Sequence, residues 1–379
     1  MNINLSVLGM VACTLGVSFL VAVITTPIVK ELAQKVGAVD DPNKDKDPER
    51  RMHSRPIPRM GGLAIFLGFL VSVLLFVELD RQIRGLLLGA VIIVILGIFD
   101  DIYDLPAKLK LLVQIVAALV AVFSGNVIEH MFTVPLGWLA IPVSVIWIVG
   151  VTNAVNLIDG LDGLACGVST ISSMTLLVIA LVMHEAQTPV LVAALVGGCL
   201  GFLPYNLNPA KIFMGDTGST FLGFALGVIS IQGLFKHYMF ISFVVPFLML
   251  GLPIFDTCFA FIRRIAHGQS PMHADRSHVH HRLIDMGFSQ KQAVAILYII
   301  SAILGLSAVV LATTGALRAM LVFLALCVAG GIAMSLYFHN NEKRGQKDGE
   351  GKGEDKTLNG AAQNAAEEKN GEENHHEAH

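Results

Sequence analysis

Four short polar groups carry the residue types and spacings that could do chemistry. In Asp100-Asp101-Ile-Tyr-Asp104 the first and last acids stand at i and i+4, on one face of a helix. Three like charges so close repel one another unless a divalent cation or a cationic substrate neutralises them; the plainer reading is a solvated helix cap. In the second group Asn153, Asn156, Asp159 and Asp162 recur every three residues, a stripe drifting around a helix axis. Gly160 and Gly163 let the backbone turn there or a ligand approach closely. Two amides and two carboxylates with no basic residue nearby suit a hard cation, together with the hydroxyls and N–H groups of a sugar or base. A helix-end cap accounts for one Asp, not for four such residues.

The third group, Asn208-Pro-Ala-Lys211-Ile-Phe213-Met-Gly215-Asp216-Thr-Gly218-Ser219, stands just before an apolar run. A helix N-terminus here would present free N–H groups to phosphate while Asp216 carried a metal; an Asp acting only as an N-cap is the plainer alternative. In the fourth, Asp275-Arg276-Ser277-His278-Val279-His280-His281-Arg282, three of four successive positions are histidine. Zinc sites usually use Cys or spaced His ligands, and the arginines of this loop oppose a cation. Arg beside His suits phosphate oxygens better. Two lesser candidates remain. Asp256 lies seven residues before Arg263, as a buried structural pair or a group supporting a site residue. His53, Arg55 and Arg59 precede Met60-Gly61-Gly62, either to hold phosphate or to set topology.

These groups punctuate a very apolar chain. Of its 379 residues 54% are hydrophobic and 15% charged, and the mean hydropathy is +0.68. Sixteen of the fifty-five charged residues fall in the last forty-one, so residues 1–338 carry about one charge in nine, against roughly one in four for a soluble domain. Such a chain cannot cover a water-facing surface, which excludes soluble enzyme folds, collagen-like chains and disordered regulators. The expected fold is all-α and polytopic, with about eleven transmembrane helices near 5–29, 61–79, 84–99, 109–127, 137–155, 164–183, 189–206, 217–234, 239–261, 292–313 and 316–338. The first run, Ser6–Ile28, has no basic n-region or small-residue cleavage site and reads as a retained span.

Alternating eleven spans from a cytoplasmic loop 30–60 puts twenty-two Lys/Arg inside and four outside. The N-terminus is then outside and the C-terminus cytoplasmic. All four polar groups fall on the inner side. Residues 339–379, acidic with a single Leu, read as a disordered cytoplasmic tail after a transmembrane domain at 1–338. The closing His-His-Glu-Ala-His could take a stray metal, but reads first as solvated tail. The five cysteines lie in apolar stretches without metal spacing and read as buried apolar side chains. Acids for a divalent metal beside basic groups for phosphate suit a pyrophosphate-containing donor and a membrane-embedded phosphate acceptor.

In order and separation, DDIYD (100–104), NAVNLIDGLDGL (153–164), NPAKIFMGDTGS (208–219) and DRSHVHH (275–281) closely resemble the polyprenyl-phosphate N-acetylhexosamine-1-phosphate transferases, over residues 1–338. The resemblance implies transfer of a sugar-1-phosphate from a UDP-sugar to undecaprenyl phosphate, with release of UMP. It implies Mg²⁺, with Mn²⁺ as a substitute, held by Asn156 and Asp216. Asp100 and Asp101 would act on the acceptor phosphate, with Asp100 deprotonating or orienting it. Asp159 would meet nucleotide or sugar, Asp162 and Phe213 the uracil, and Lys110 would stand near the nucleotide. Arg276, His278, His280 and His281 would bind diphosphate or the N-acetyl sugar. The Asp-Arg-x-His-x-His-His form resembles the UDP-N-acetylglucosamine branch that starts teichoic acid or other cell-envelope glycans. The phospho-N-acetylmuramoyl-pentapeptide transferases are the near alternative, and a cation-coupled transporter is a distant one. A bacterial cytoplasmic membrane, no nucleic-acid partner and, as one option, a homodimer complete the expectation.

Overall fold

The computed structural model describes residues 5–41, 55–131, 134–183, 185, 187–233, 240–266 and 278–314, with 321 and 325. His53, Arg276, the eleventh span apart from 321 and 325, and the tail therefore lie outside the described residues. Those from 5 to 314 belong to one compact unit, Met1–Met320. Its helices are α1 (Leu5–Val36), α2 (Gly62–Phe76), α3 (Arg81–Tyr103), α4 (Ala107–Phe123), α5 (Ala140–Leu157), α6 (Leu164–Val182), α7 (Thr188–Asn206), α8 (Gly215–Gly233), α9 (Phe240–Met249), α10 (Gly251–Ala266), α11 (Val279–Asp285) and α12 (Gln290–Thr314). Among the described residues six helical stretches are long and apolar enough to cross a membrane. Large side chains such as Leu75, Ile146 and Ile299 are exposed on outward faces, as lipid-facing residues are. The chain is an all-α membrane protein.

Each of the first ten expected spans coincides with helix, and the ninth is two helices. Its break follows from Pro253, which has no N–H to give the carbonyl four residues back and whose ring crowds it. That carbonyl, on Met249, instead accepts from the buried Ser172 hydroxyl of α6 at 2.8 Å. Two antiparallel ladders of two residues per strand add the only strands among the described residues: β1 (Val39–Asp40) with β2 (Ile57–Pro58), and β3 (His130–Met131) with β4 (Val134–Pro135).

Helix α8 is the axis of the unit. Apart from Asp216 its residues are buried all round, and it packs chiefly on α3 and α5, with α2, α6 and α7 behind. In lipid, helices gain by approaching closely, which small residues allow. A methyl group on Gly62 of α2 would fall on the Gly218 backbone, and one on Gly97 of α3 on the Thr217 backbone. One on Gly223 would stand 2.6 Å from Thr152 Cα of α5. At one end of the bundle a buried amide network ties three helices: Gln232 donates to Asn126 at 2.7 Å, and Asn126 to the carbonyls of Gln82 and Ala121. At the other end the helices open onto a cavity lined from α1, α7, α8, α11, the start of α12 and connections between helices.

Gly62→Val should therefore lower stability by about 1–3 kcal/mol or more, because the obstacle is backbone. Gly150→Ala, at an exposed position of α5 with open space around it, should be nearly neutral. Thermal inactivation midpoints of the two purified variants check this; equal midpoints would contradict the close α2–α8 approach.

Candidate active site

The first turn of α8 fixes the site. Gly215 has φ +70°, a left-handed conformation natural to glycine, and a side chain there would run into the Asp101 carboxylate. Asp101, in the last turn of α3, accepts from Asp216 N at 3.0 Å, Thr217 N at 3.1 Å and Thr217 Oγ1 at 2.6 Å. It thus caps α8 from another helix, satisfying N–H groups that a helix start leaves unpaired. Arg59 Nε stands 3.6 Å from the same carboxylate.

Asp100 turns the other way. Its Oδ1 accepts from Leu105 N at 2.8 Å, closing the end of α3, where Asp104 is left-handed at φ 56°. Its Oδ2 accepts from Lys110 Nζ at 2.9 Å, and the same ammonium donates to Asp216 Oδ2 at 3.0 Å. One cation therefore already stands between the carboxylates of two helices. The segment 58–62 runs beside 212–214: Phe213 N donates to Pro58 O, Gly61 N to Phe213 O and Gly62 N to Met214 O, at 2.8–2.9 Å. These bonds join the expected third group to the Arg59 loop.

The cavity beside Asp216 has a volume of about 830 Å³. Of the expected site residues Asp159, Asp162, Phe213, Asp216 and His281 line it. Asp100, Asp101 and Lys110 adjoin it through Asp216. Asn156 is in the last turn of α5, where its carbonyl accepts from Asp159 N at 3.1 Å to form the turn; it is outside the lining. Asn153 is drawn away, donating to Gln114 of α4 at 2.7 Å. Asp162 Oδ2 accepts from Asn208 Nδ2 and Ala210 N, both at 3.0 Å, and Asn208 also donates to Gln290 at 2.6 Å. His278 and His280 are buried behind the cavity wall. Among the described residues no group of three or more His, Cys, Asp or Glu is arranged to hold a metal.

Some wall residues escaped the sequence reading. Lys30 and Gln34 line the cavity from the end of α1; their i, i+4 spacing on one face of the span was the available signal. Tyr298 of α12 donates to Gly163 O at 2.6 Å and fills the notch left by Gly167, which no local pattern announces.

Burial raises the Asp159 carboxyl to about 8, with the Asp216 charge adding to it. Burial holds the His280 imidazole down to about 3, and the neighbouring His281 adds to that. The cavity lining sets the carboxylates of Asp159, Asp162 and Asp216 beside the basic side chains of Lys30, Arg55, Arg59 and Lys211. Such a set fits a hard cation that keeps waters and uses one or two carboxylates plus phosphate oxygens.

Residues 83–234 match the family model described as glycosyl transferase family 4. The chain belongs to that family, the polyprenyl-phosphate N-acetylhexosamine-1-phosphate transferases that its four motifs resemble. It is 46% identical over 303 residues to the probable undecaprenyl-phosphate N-acetylglucosaminyl 1-phosphate transferase of Bacillus subtilis, covering 78% of this chain and 83% of that one. It is 34% identical to a decaprenyl-phosphate N-acetylglucosaminephosphotransferase of Mycolicibacterium smegmatis, covering 72% and 74%. A phospho-N-acetylmuramoyl-pentapeptide-transferase of Desulforudis audaxviator is 32% identical, covering 77% and 96%.

Neutral burial of His280 has a pH signature. Between about 6.5, its ordinary value, and about 3 the unfolded chain binds a proton that the folded one does not. Its contribution is whole above pH 6.5 and shrinks as pH falls. Asp159 acts in the opposite sense between 3.8 and about 8, so the measurement is the stability difference between wild type and His280→Gln, in which Asp159 cancels. That difference should shift against wild type from pH 7 to 5, by at most about 1.4 kcal/mol per pH unit; a constant difference would contradict neutral burial.

Proposed function

We propose that this chain transfers N-acetylglucosamine-1-phosphate from UDP-N-acetylglucosamine to undecaprenyl phosphate, releasing UMP and starting a cell-envelope glycan. The observation that carries the reading is the meeting of Asp100, Lys110 and Asp216, from three helices, at the edge of a cavity walled by Asp159, Asp162, Phe213 and His281. The similarity to the Bacillus and Mycolicibacterium enzymes, both named for N-acetylglucosamine transfer to a polyprenyl phosphate, supports the donor and the acceptor.

The chemistry asks for positioning rather than a covalent nucleophile. An acceptor phosphate oxygen attacks the β-phosphorus of the donor; the bond from that phosphorus to the bridging oxygen breaks, and UMP leaves. Asp100 orients the acceptor phosphate or takes its proton, while Lys110 keeps Asp100 and Asp216 aimed at one point. Asp101 serves through α8, whose first turn it fixes. Phe213 offers a face to the uracil, Asp162 its free carboxylate oxygen, and Asp159 meets nucleotide or sugar. His281, with Arg276 on the same segment, serves the diphosphate or the N-acetyl sugar, and His278 and His280, buried behind the cavity wall, support it. Asp216 and Asn156 would hold Mg²⁺, for which Mn²⁺ can substitute, and a divalent cation there supplies charge neutralisation for the diphosphate.

The reading includes eleven spans with the N-terminus outside, which places the site at the cytoplasmic face of a bacterial membrane. The Desulforudis relative favours a second reading, in which the donor carries an N-acetylmuramoyl-pentapeptide. Both donors belong in one test. Purified protein with undecaprenyl phosphate and Mg²⁺ should release UMP from UDP-N-acetylglucosamine and not from the muramoyl-pentapeptide donor. Asp216→Asn should lose on the order of a hundredfold or more in turnover. No UMP from either donor would remove the transferase reading, and unchanged turnover would remove Asp216 from the site.

A further inference from the structure

One buried carboxylate with two partners lies outside the cavity. Asp256, on α10, is 4% exposed and belongs to none of the four motifs. Its Oδ2 faces His278 Nδ1 at 2.9 Å, and its Oδ1 accepts from Val279 N at 2.9 Å. Both oxygens therefore engage the two residues at which α11 begins. That helix has no side-chain cap of its own, and Asp256 supplies one from a different helix. Arg263, its partner under one of the two sequence readings, lies over the Phe259 ring at 5.8 Å.

What α11 carries gives the contact its meaning. The rings of His278 and His280 lie nearly parallel, 7° apart, with centroids at 5.8 Å. His280 abuts Gly160 so closely that a side chain at that glycine would strike its Nε2, so it braces the turn that holds Asp159 and Asp162. His281, with its ring 4.2 Å from that of His280, lines the cavity. Contacts thus run from Asp256 through the start of α11 to the cavity wall.

We infer that Asp256 is a positioning residue: it touches no substrate, but it docks α11 so that His280 supports the Asp159–Asp162 turn and His281 faces the donor. The inference rests on the proposed transferase reading. A carboxylate suits the task because it accepts from both donors at once. The isosteric amide must turn its NH₂ toward one of them, and a methyl group engages neither.

The test uses full-length protein in detergent with two readouts. Asp256→Ala should lower kcat by on the order of a hundredfold, since small displacements of a site group carry losses of that size. The KM for UDP-N-acetylglucosamine should change far less than kcat. Asp256→Asn should fall between Ala and wild type, and Asp256→Glu, which keeps two acceptor oxygens, should recover part of the turnover. Without any donor, carbethoxylation of His280 by diethyl pyrocarbonate, read by peptide mass, should quicken by about tenfold or more in Asp256→Ala as α11 opens locally. Wild-type kcat in Asp256→Ala, or lost turnover with His280 still protected, would overturn the inference. If Asp256→Ala does not accumulate, the isosteric Asp256→Asn bears the same two outcomes. A wild type that releases no UMP would strike the transferase reading alone, because the labelling still judges the docking of α11.

Discussion

The capping of α8 by Asp101 is the contact on which the rest of the site depends. In an apolar surrounding a backbone N–H without a partner is costly, and the first turn of a helix leaves several unpaired. α8 is buried nearly all round, so water is a poor substitute. A carboxylate at that end also meets the positive end of the helix dipole. With three donors on one carboxylate, α3 and α8 are held end to start, and the neighbouring residues, Asp100 and Asp216, come to share one ammonium group.

That geometry turns like-charge repulsion into a binding feature. Acids from separate helices, held together by packing elsewhere, attract whichever cation is at hand. In the chain by itself that is Lys110, which pairs with both of the acids it joins. The close approaches at Gly62 and Gly97 serve the same end, letting α2 and α3 lie against the backbone of the first turn of α8. The far end of the bundle is tied by amides, Gln232 to Asn126 and Asn126 to α3 and α4, and by Arg81 donating to Phe123 O at 2.7 Å.

Much of this was legible in the residue order. Apolar runs located eleven of the twelve helices among the described residues, because lipid forces a spanning chain to satisfy its backbone internally. The acidic groups marked the end at which the site lies because charge there needs compensation. What the sequence withheld was direction. Asp100 and Asp101 are adjacent and of one type, yet one faces Lys110 and the other the start of α8, a distinction set by the packing of α3 on α8. Asn153 and Asn156 share a stripe, yet Asn153 is taken by Gln114 of a neighbouring helix. Asp162 looked like a ligand group, while one of its oxygens organises the 208–210 loop. Asp256 stood between two readings until its partner proved to be His278, twenty-two residues on. The split of the ninth span was the exception, since Pro253 announces it locally.

A double-mutant cycle between Asp101→Ala and Thr217→Val, read from unfolding free energies in detergent, tests the central contact most directly. The short hydroxyl–carboxylate bond and its burial call for a coupling of about 1–3 kcal/mol, with each single variant destabilised. Additive effects, with no coupling between the two positions, would mean that Asp101 does not hold the start of α8, and the shared placement of Asp100 and Asp216 would lose its cause.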